Sequence, residues 1–208
     1  MNVAPDPTTG RRGYRICLTG GPGGGKTTAA DLFRRELGES VIVVPEAATM
    51  LFGGGFPRRA DPESSCATQS AIFAVQRALE ETQTAAYPGR ILLCDRGTID
   101  GAAYWPESCG GAEGFFSAHQ TSLSKEHKRY DAVIFFETAA GGGMSIEGGN
   151  PIRNESLDLA VALDERLHAL YCDHPRFVYV PHNASFFKKI TFGLAAIESI
   201  VAQLRHEH

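Results

Sequence analysis

Gly20-Gly21-Pro22-Gly23-Gly24-Gly25-Lys26-Thr27, followed by Thr28, fills every fixed position of the G-x-x-x-x-G-K-[ST] phosphate-binding loop. Ahead of it, Tyr14-Arg15-Ile16-Cys17-Leu18-Thr19 is a short apolar segment of strand character. Behind it, Thr27 to Leu37 places Ala29, Ala30, Leu32, Phe33 and Leu37 on a helical apolar face. A strand, a glycine turn and a helix start are the context this motif requires. Glycines let successive backbone N–H groups curl around an anion. The helix that follows aims its unpaired N–H groups and positive dipole end at the same point. On this reading Gly21, Gly23, Gly24, Gly25, Lys26, Thr27 and Thr28 bind ATP. Lys26 reaches the β- and γ-phosphates, and the Thr27 hydroxyl takes one Mg²⁺ position.

The rest of the chain is compatible with one domain around this loop. Its 208 residues, 43% hydrophobic and 21% charged, have the balance of a globular domain with a real core. A net charge of −4 gives no general attraction to nucleic acid or anionic membranes, and neither is expected as a partner. No apolar run approaches the roughly 20 residues of a membrane helix. Residues 1–12 are polar, with Pro5 and Pro7 and no apolar stretch of a secretory signal, and are expected to be a disordered leader. Residues 13–208 then form a single domain. The five cysteines are odd in number and widely spaced, without a C-x-x-C pair. That usage suits a reduced, cytoplasmic protein without structural zinc, with Cys17 and Cys94 as small core residues.

Five short apolar runs alternate with helical stretches: Arg15–Thr19, Val41–Val44, Ile91–Cys94, Ala132–Phe136 and Phe177–Val180. Continuous apolar runs of this length suit strands covered on both faces. The alternation predicts an α/β fold, a five-stranded parallel sheet with helices on both sides. Ligands in such sheets bind at the carboxyl ends of the strands. Glu46 stands just after the second run, placed to accept a proton from a substrate hydroxyl during phosphoryl transfer. An acidic residue opening the next helix is the plainer explanation. The third run closes on Asp95-Arg96-Gly97. An aliphatic strand ending in aspartate is the second signature of P-loop proteins, its carboxylate reaching Mg²⁺ directly or through water. Arg96 would clamp a phosphate or the substrate, and Asp100 and Tyr104 continue towards the cleft.

Leu51 to Glu63, with Gly53-Gly54-Gly55 and two prolines, reads as a mobile loop whose Arg58 and Arg59 either meet an anionic substrate or are merely solvated. Ser64 to Tyr87 reads as a long helix ended by Pro88-Gly89. Ile72, Val75 and Leu79 are its expected core face. Gln69, Phe73 and Gln76 form a second stripe, two amides and a ring that either hold a flat heterocycle or belong to an ordinary surface. Ser108 to Gly114 is turn-like, and Lys125 to Arg129 reads as a solvated helix end. Residues 138–153 are glycine-rich, as a flexible lid would be, with Arg153 positioned to stabilise charge on a transferring phosphoryl group or to pair with Glu155. Arg166 is a weaker candidate. Ile190, Leu194, Ile197, Val201 and Leu204 mark the packing face of a last helix.

The loop through Thr27, the segment Val43-Val44-Pro45-Glu46-Ala47, and Asp95-Arg96-Gly97 with Asp100 and Ala103-Tyr104 together resemble AAA-domain ATP-binding proteins. These lie close to the ribosylnicotinamide kinase module and, further off, to deoxynucleoside and thymidylate kinases. The likeness runs from about Tyr14 to the last helix and includes Gln69, Gln76, Arg153-Asn154-Glu155 and Tyr171. It implies the nucleoside/nucleotide-kinase arrangement of strands, with Glu46 as base, Asp95 for Mg²⁺ and Arg153 as lid arginine. Relatives of this kind carry several lid arginines, whereas here Arg153 stands nearly alone.

Two readings follow. The first is a Mg²⁺-dependent small-molecule kinase in which Lys26, Glu46, Asp95, Arg96 and Arg153 are catalytic. Glu46, Gln69, Phe73, Gln76 and Arg96 hold a nucleoside-like or other hydroxylated acceptor, and Thr27 and Asp95 hold the metal. The second is a nucleotide-dependent switch or ATPase with slow hydrolysis of ATP or GTP. A guanine-reading N-K-x-D segment is absent from the sequence. Both readings allow a monomer or a homodimer.

Overall fold

The structure is a computed structural model and describes residues 13–142, 157–183 and 185–206. The expected leader and most of the expected lid, including Arg153, lie outside the described residues.

All five apolar runs are strands: β1 (Tyr14–Thr19), β2 (Val41–Val44), β3 (Ile91–Asp95), β4 (Ala132–Phe136) and β5 (Phe177–Val180). They pair in parallel in the order β2-β3-β1-β4-β5, which puts β1 and its glycine loop at the centre. The helices are α1 (Lys26–Leu37), α2 (Ala47–Gly53), α3 (Pro62–Ala86), α4 (Asp100–Ala103), α5 (Gly111–Ala118), α6 (Leu123–His127), α7 (Leu157–Tyr171) and α8 (Phe186–His206). Successive strand residues face opposite ways, so β1 feeds two cores. Ile16 and Leu18 pack with Phe33 of α1 and with Ile190, Ile197 and Leu204 of α8. Cys17, beside Leu92 and Cys94 of β3, packs with Phe73 of α3, Phe115 of α5 and Leu167 and Tyr171 of α7. The result is the expected three layers.

Four local expectations need correction. The segment after Glu46 is helical through Gly53, so the irregular stretch begins later than Leu51. Residues 111–118 form α5 rather than a turn. On α3 the face turned fully inward carries Phe73, Gln76 and Glu80, whereas Ile72, Val75 and Leu79 are half-buried. The reason lies in the sheet: β1 presents Arg15 to that helix, and Glu80 answers it at 3.4 Å. Glu80 also accepts from Arg129 and from the Tyr130 hydroxyl, at 2.8 and 2.7 Å. A charge of this kind is tolerated in a core only when it is paired and hydrogen-bonded. The run Lys125 to Arg129 is therefore not a solvated end. Glu126 is buried and accepts from Thr98 and Thr121, and Arg129 reaches into the same network.

At the base of α8, Lys189 is buried with its ammonium donating to the Glu137 carbonyl at 2.6 Å. Burial pulls its pKa from 10.5 to about 8. Between those values the unfolded chain binds more protons at this site than the folded one, so folding stability gains with rising pH across that window. Denaturant titrations of wild type and Lys189→Met at pH 8 and pH 10 are expected to differ in slope: the variant lacks this increment.

Candidate functional site

The glycine loop bends sharply back between β1 and α1. Gly25, the residue capping α1, sits at φ 83°, a left-handed conformation that glycine adopts without strain. A side chain on Gly20 would collide with the carbonyl oxygen of Phe136 on neighbouring β4, so the close approach of the loop to the sheet requires glycine there too. Gly21, Gly23 and Gly24 complete the cradle. Lys26 is buried and donates to the carbonyls of Gly20 and Gly21 at 2.8 and 2.7 Å. Thr27 and Thr28 open α1 on the exposed side.

Thr27 Oγ1 lies 2.6 Å from Asp95 Oδ2, bringing together the two residues expected to hold Mg²⁺. The donor set suits that ion: a hydroxyl and one carboxylate, with the remaining positions left to phosphate oxygens and water. Among the described residues no group of three or more His, Cys, Asp or Glu could hold a metal ion by itself. Burial pushes the Asp95 carboxyl up, opposed by the Thr27 hydrogen bond and the Lys26 charge.

Beside the loop lies a cavity of about 430 Å³, within the range of small-ligand pockets. Its floor is Glu46, Arg96 and Asp100. Arg96 Nε donates to Glu46 Oε1 at 2.8 Å, and its Nη1 donates to Asp100 Oδ2 at 2.9 Å and to the Gly20 carbonyl at 3.2 Å. Its Nη2 is buried without a hydrogen-bond partner among the described residues. Arg96 is left-handed, φ 74°, which is uncommon for a residue with a side chain and marks backbone strain held by its surroundings. Asp100 is fastened in turn by Thr19, Tyr171 and the Gly97 N–H. The carboxylates thus fix the arginine against the phosphate loop.

Gln69 lines the cavity wall. Gln76 also borders it, with an amide already engaged: its Oε1 accepts from Ala47 N–H at 3.3 Å, and its Nε2 donates to the Arg96 carbonyl at 3.1 Å. It ties the backbones of Glu46's neighbour and of Arg96 together. Phe73 does not line the cavity. Its ring packs edge-on to Phe115 and against His119 in the core, and Ile72 provides the wall instead. The helix turns further inward than its apolar spacing implies, because Glu80 is drawn to Arg15. Arg58 and Arg59 stand on the cavity rim. Arg153 lies outside the described residues, and Arg166 is exposed on α7.

Two residues escaped the sequence reading. Asp164 of α7 accepts from the Gly21 N–H at 2.6 Å and from the Thr138 N–H at 3.0 Å through a single oxygen. It pins the glycine loop to the end of β4 and to α7. Burial pushes its carboxyl up, and the Gly21 and Thr138 hydrogen bonds oppose this. Nothing in a lone aspartate within a helix signals such a contact. Asp164→Ala leaves two enclosed N–H groups unpaired and is expected to cost about 2–4 kcal/mol in chemical denaturation. Asp164→Asn, which keeps an accepting oxygen, is expected to cost about half that or less. The second missed residue is Phe186, whose ring lies against Gly25, so that a side chain on that glycine would strike it.

The geometry defines a class: a P-loop fold in the nucleoside-kinase arrangement, with an open-mouthed cavity at the carboxyl ends of its strands. The AAA domain family matches residues 15–187, most of the chain, and the protein belongs to that family. Among solved structures it is similar to deoxyadenosine kinase from M. mycoides with bound dATP. The two are 12% identical, the TM-score is 0.65, and the match covers 89% of this chain and 99% of that one. At that identity the likeness establishes the fold. No curated protein sequence matches the chain. Among the described residues no helix is long and apolar enough to cross a membrane.

Proposed function

We propose that this protein is a Mg²⁺-dependent phosphotransferase that moves the γ-phosphate of ATP to a hydroxyl of a small, nucleoside-like acceptor in the cavity. One atom carries the reading. The Gly20 carbonyl accepts from Lys26 of the phosphate loop and also from Arg96 of the cavity floor. Phosphate site and cavity therefore meet at a shared wall, and a molecule in the cavity presents its end to the terminal phosphate. A protein that only binds or hydrolyses nucleotide has no use for a second chamber there.

Each residue then has a role. The loop amides and Lys26 bind the phosphates and offset charge that grows on the transferring group. Thr27 and Asp95 would hold Mg²⁺, which would supply positive charge to offset that of the phosphates. Glu46 orients the acceptor hydroxyl and takes its proton. Arg96, whose Nη2 is unpaired among the described residues, is the proposed donor to phosphate where the cavity meets the loop. Gln69 contacts the acceptor body. Gln76 positions Glu46 and Arg96 rather than meeting the acceptor, and Arg153 remains the proposed lid cation. The five free cysteines suit a reducing cytoplasmic setting.

The test is mass-spectrometric. The protein is incubated with ATP-Mg²⁺ and a pool of nucleosides and other hydroxylated metabolites, with Lys26→Ala as control. A phosphorylated product that the control fails to make supports the reading. ADP formed without any phosphorylated acceptor overturns it in favour of a nucleotide-hydrolysing switch.

A further inference from the structure

The cavity is electrically lopsided along its depth. Its buried floor holds two carboxylates, Glu46 and Asp100, against one guanidinium, Arg96. Its exposed rim carries Arg58 and Arg59. Arg59 is engaged by Asp61 at 3.2 Å, whereas Arg58 makes no ion pair among the described residues. The Arg58 guanidinium is nonetheless held in place, 4.1 Å over the ring of Phe52, which lines the same cavity. Stacking of this kind leaves the edge of the guanidinium, where its donors lie, open to a ligand. Between floor and rim the walls are largely apolar, with Ala47, Ala48, Ile72 and Phe52.

We infer that the acceptor is bipolar: a hydroxyl at the end that reaches Glu46, an apolar or planar body, and a carboxylate or phosphate at the far end that meets Arg58. The assignment rests on the kinase reading for the direction of the hydroxyl. The acceptor's end of the floor offers an anion no net attraction, because Glu46 and Asp100 already hold Arg96 and outnumber it, so the acceptor's charge points outward. A planar carboxylate or a phosphate pairs with the guanidinium fork through two parallel hydrogen bonds, which a neutral amide or hydroxyl cannot match. The rim is solvated, so the preference is one of selectivity rather than of overall affinity.

Matched probe pairs test this with the nucleotide site filled by a non-hydrolysable ATP analogue. Uridine and orotidine share a primary hydroxyl and differ by an added carboxylate; panthenol and pantothenate share one and carry, at the other end, a hydroxymethyl and a carboxylate respectively. The expected result in equilibrium binding is a preference of about 5–20-fold for the carboxylate member of at least one pair. The preference shrinks as salt is raised from 0.05 to 0.5 M. It falls towards one in Arg58→Ala and reverses in Arg58→Glu, both exposed substitutions that leave the fold intact. Equal binding within both pairs, or a preference that Arg58→Glu leaves unchanged, overturns the inference, as does absence of binding by all four probes. Phosphoryl transfer is scored separately. Transfer to neutral acceptors without any carboxylate preference sinks the bipolar acceptor and leaves the kinase standing. Carboxylate-selective binding, with ATP turnover yielding no phosphorylated product from any acceptor pool, does the reverse.

Discussion

Lys26→Ala is expected to lower phosphoryl transfer by about 10³-fold, the scale of removing one preorganised charge from a developing anion. The variant should remain folded. Of the two carbonyls that Lys26 now engages, Gly20 keeps the hydrogen bond from Arg96, and Gly21 keeps one from the Gly24 N–H. Loss of rate is then loss of phosphate stabilisation and not of structure. Circular dichroism and a denaturation midpoint check the fold, and single-turnover transfer to the identified acceptor checks the chemistry. Transfer within a few-fold of wild type would remove the glycine loop from the reaction.

Glu46→Gln is expected to slow transfer by about 10²–10⁴-fold while ATP binding stays near wild type, as removal of a general base does. Glutamine is the informative replacement because of what surrounds the carboxylate. Its carbonyl oxygen can still accept from Arg96 Nε, and its amide can donate to the Thr49 hydroxyl that Oε2 now accepts from. Geometry is retained and only the charge and basicity go. Glu46→Asp isolates the other variable: it keeps the charge and shortens the reach, so it should impair transfer through misplacement of both the base and Arg96. Full activity of Glu46→Gln would leave Glu46 as the anchor of Arg96 and nothing more.

Residues around the cavity and loop differ widely in how far the chain alone reveals them. Lys26 was readable from the chain because its motif is local: the loop, the strand before it and the helix after it are one continuous stretch. Asp95 was readable for the same reason, as the last residue of an apolar strand. Arg58 was visible only as an alternative between substrate contact and solvation, and its place on the cavity rim is what turns that alternative into an experiment. Asp164 was not legible at all. Its partner Gly21 is 143 residues away, and the contact exists because α7 packs beside β4 and the loop.

Helix α3 shows the same limit from the other side. Its length and ends follow from local chemistry: Asp61 caps the first turn by accepting from the Ser64 N–H, Pro62 follows, and Pro88-Gly89 lies just past the last turn. Which face turns inward does not. Apolar spacing points to Ile72, Val75 and Leu79. Instead Phe73, Gln76 and Glu80 are inside, because Arg15 on the central strand needs a counter-charge and Arg96 needs a hydrogen-bond donor for its carbonyl.

By itself, then, the sequence determined the strands, the parallel α/β architecture and the glycine loop, and it singled out Thr27 and Asp95 as candidates for a metal, all from neighbouring residues and backbone periodicity. The tertiary structure decided which polar groups meet: that Arg96 joins loop to cavity, that Gln76 braces the floor, that Asp164 pins the loop, and that the cavity is negative below and positive at its rim. Those outcomes depend on hydrogen bonds and charges converging from distant segments, where burial leaves each polar group one affordable set of partners and no local pattern names them.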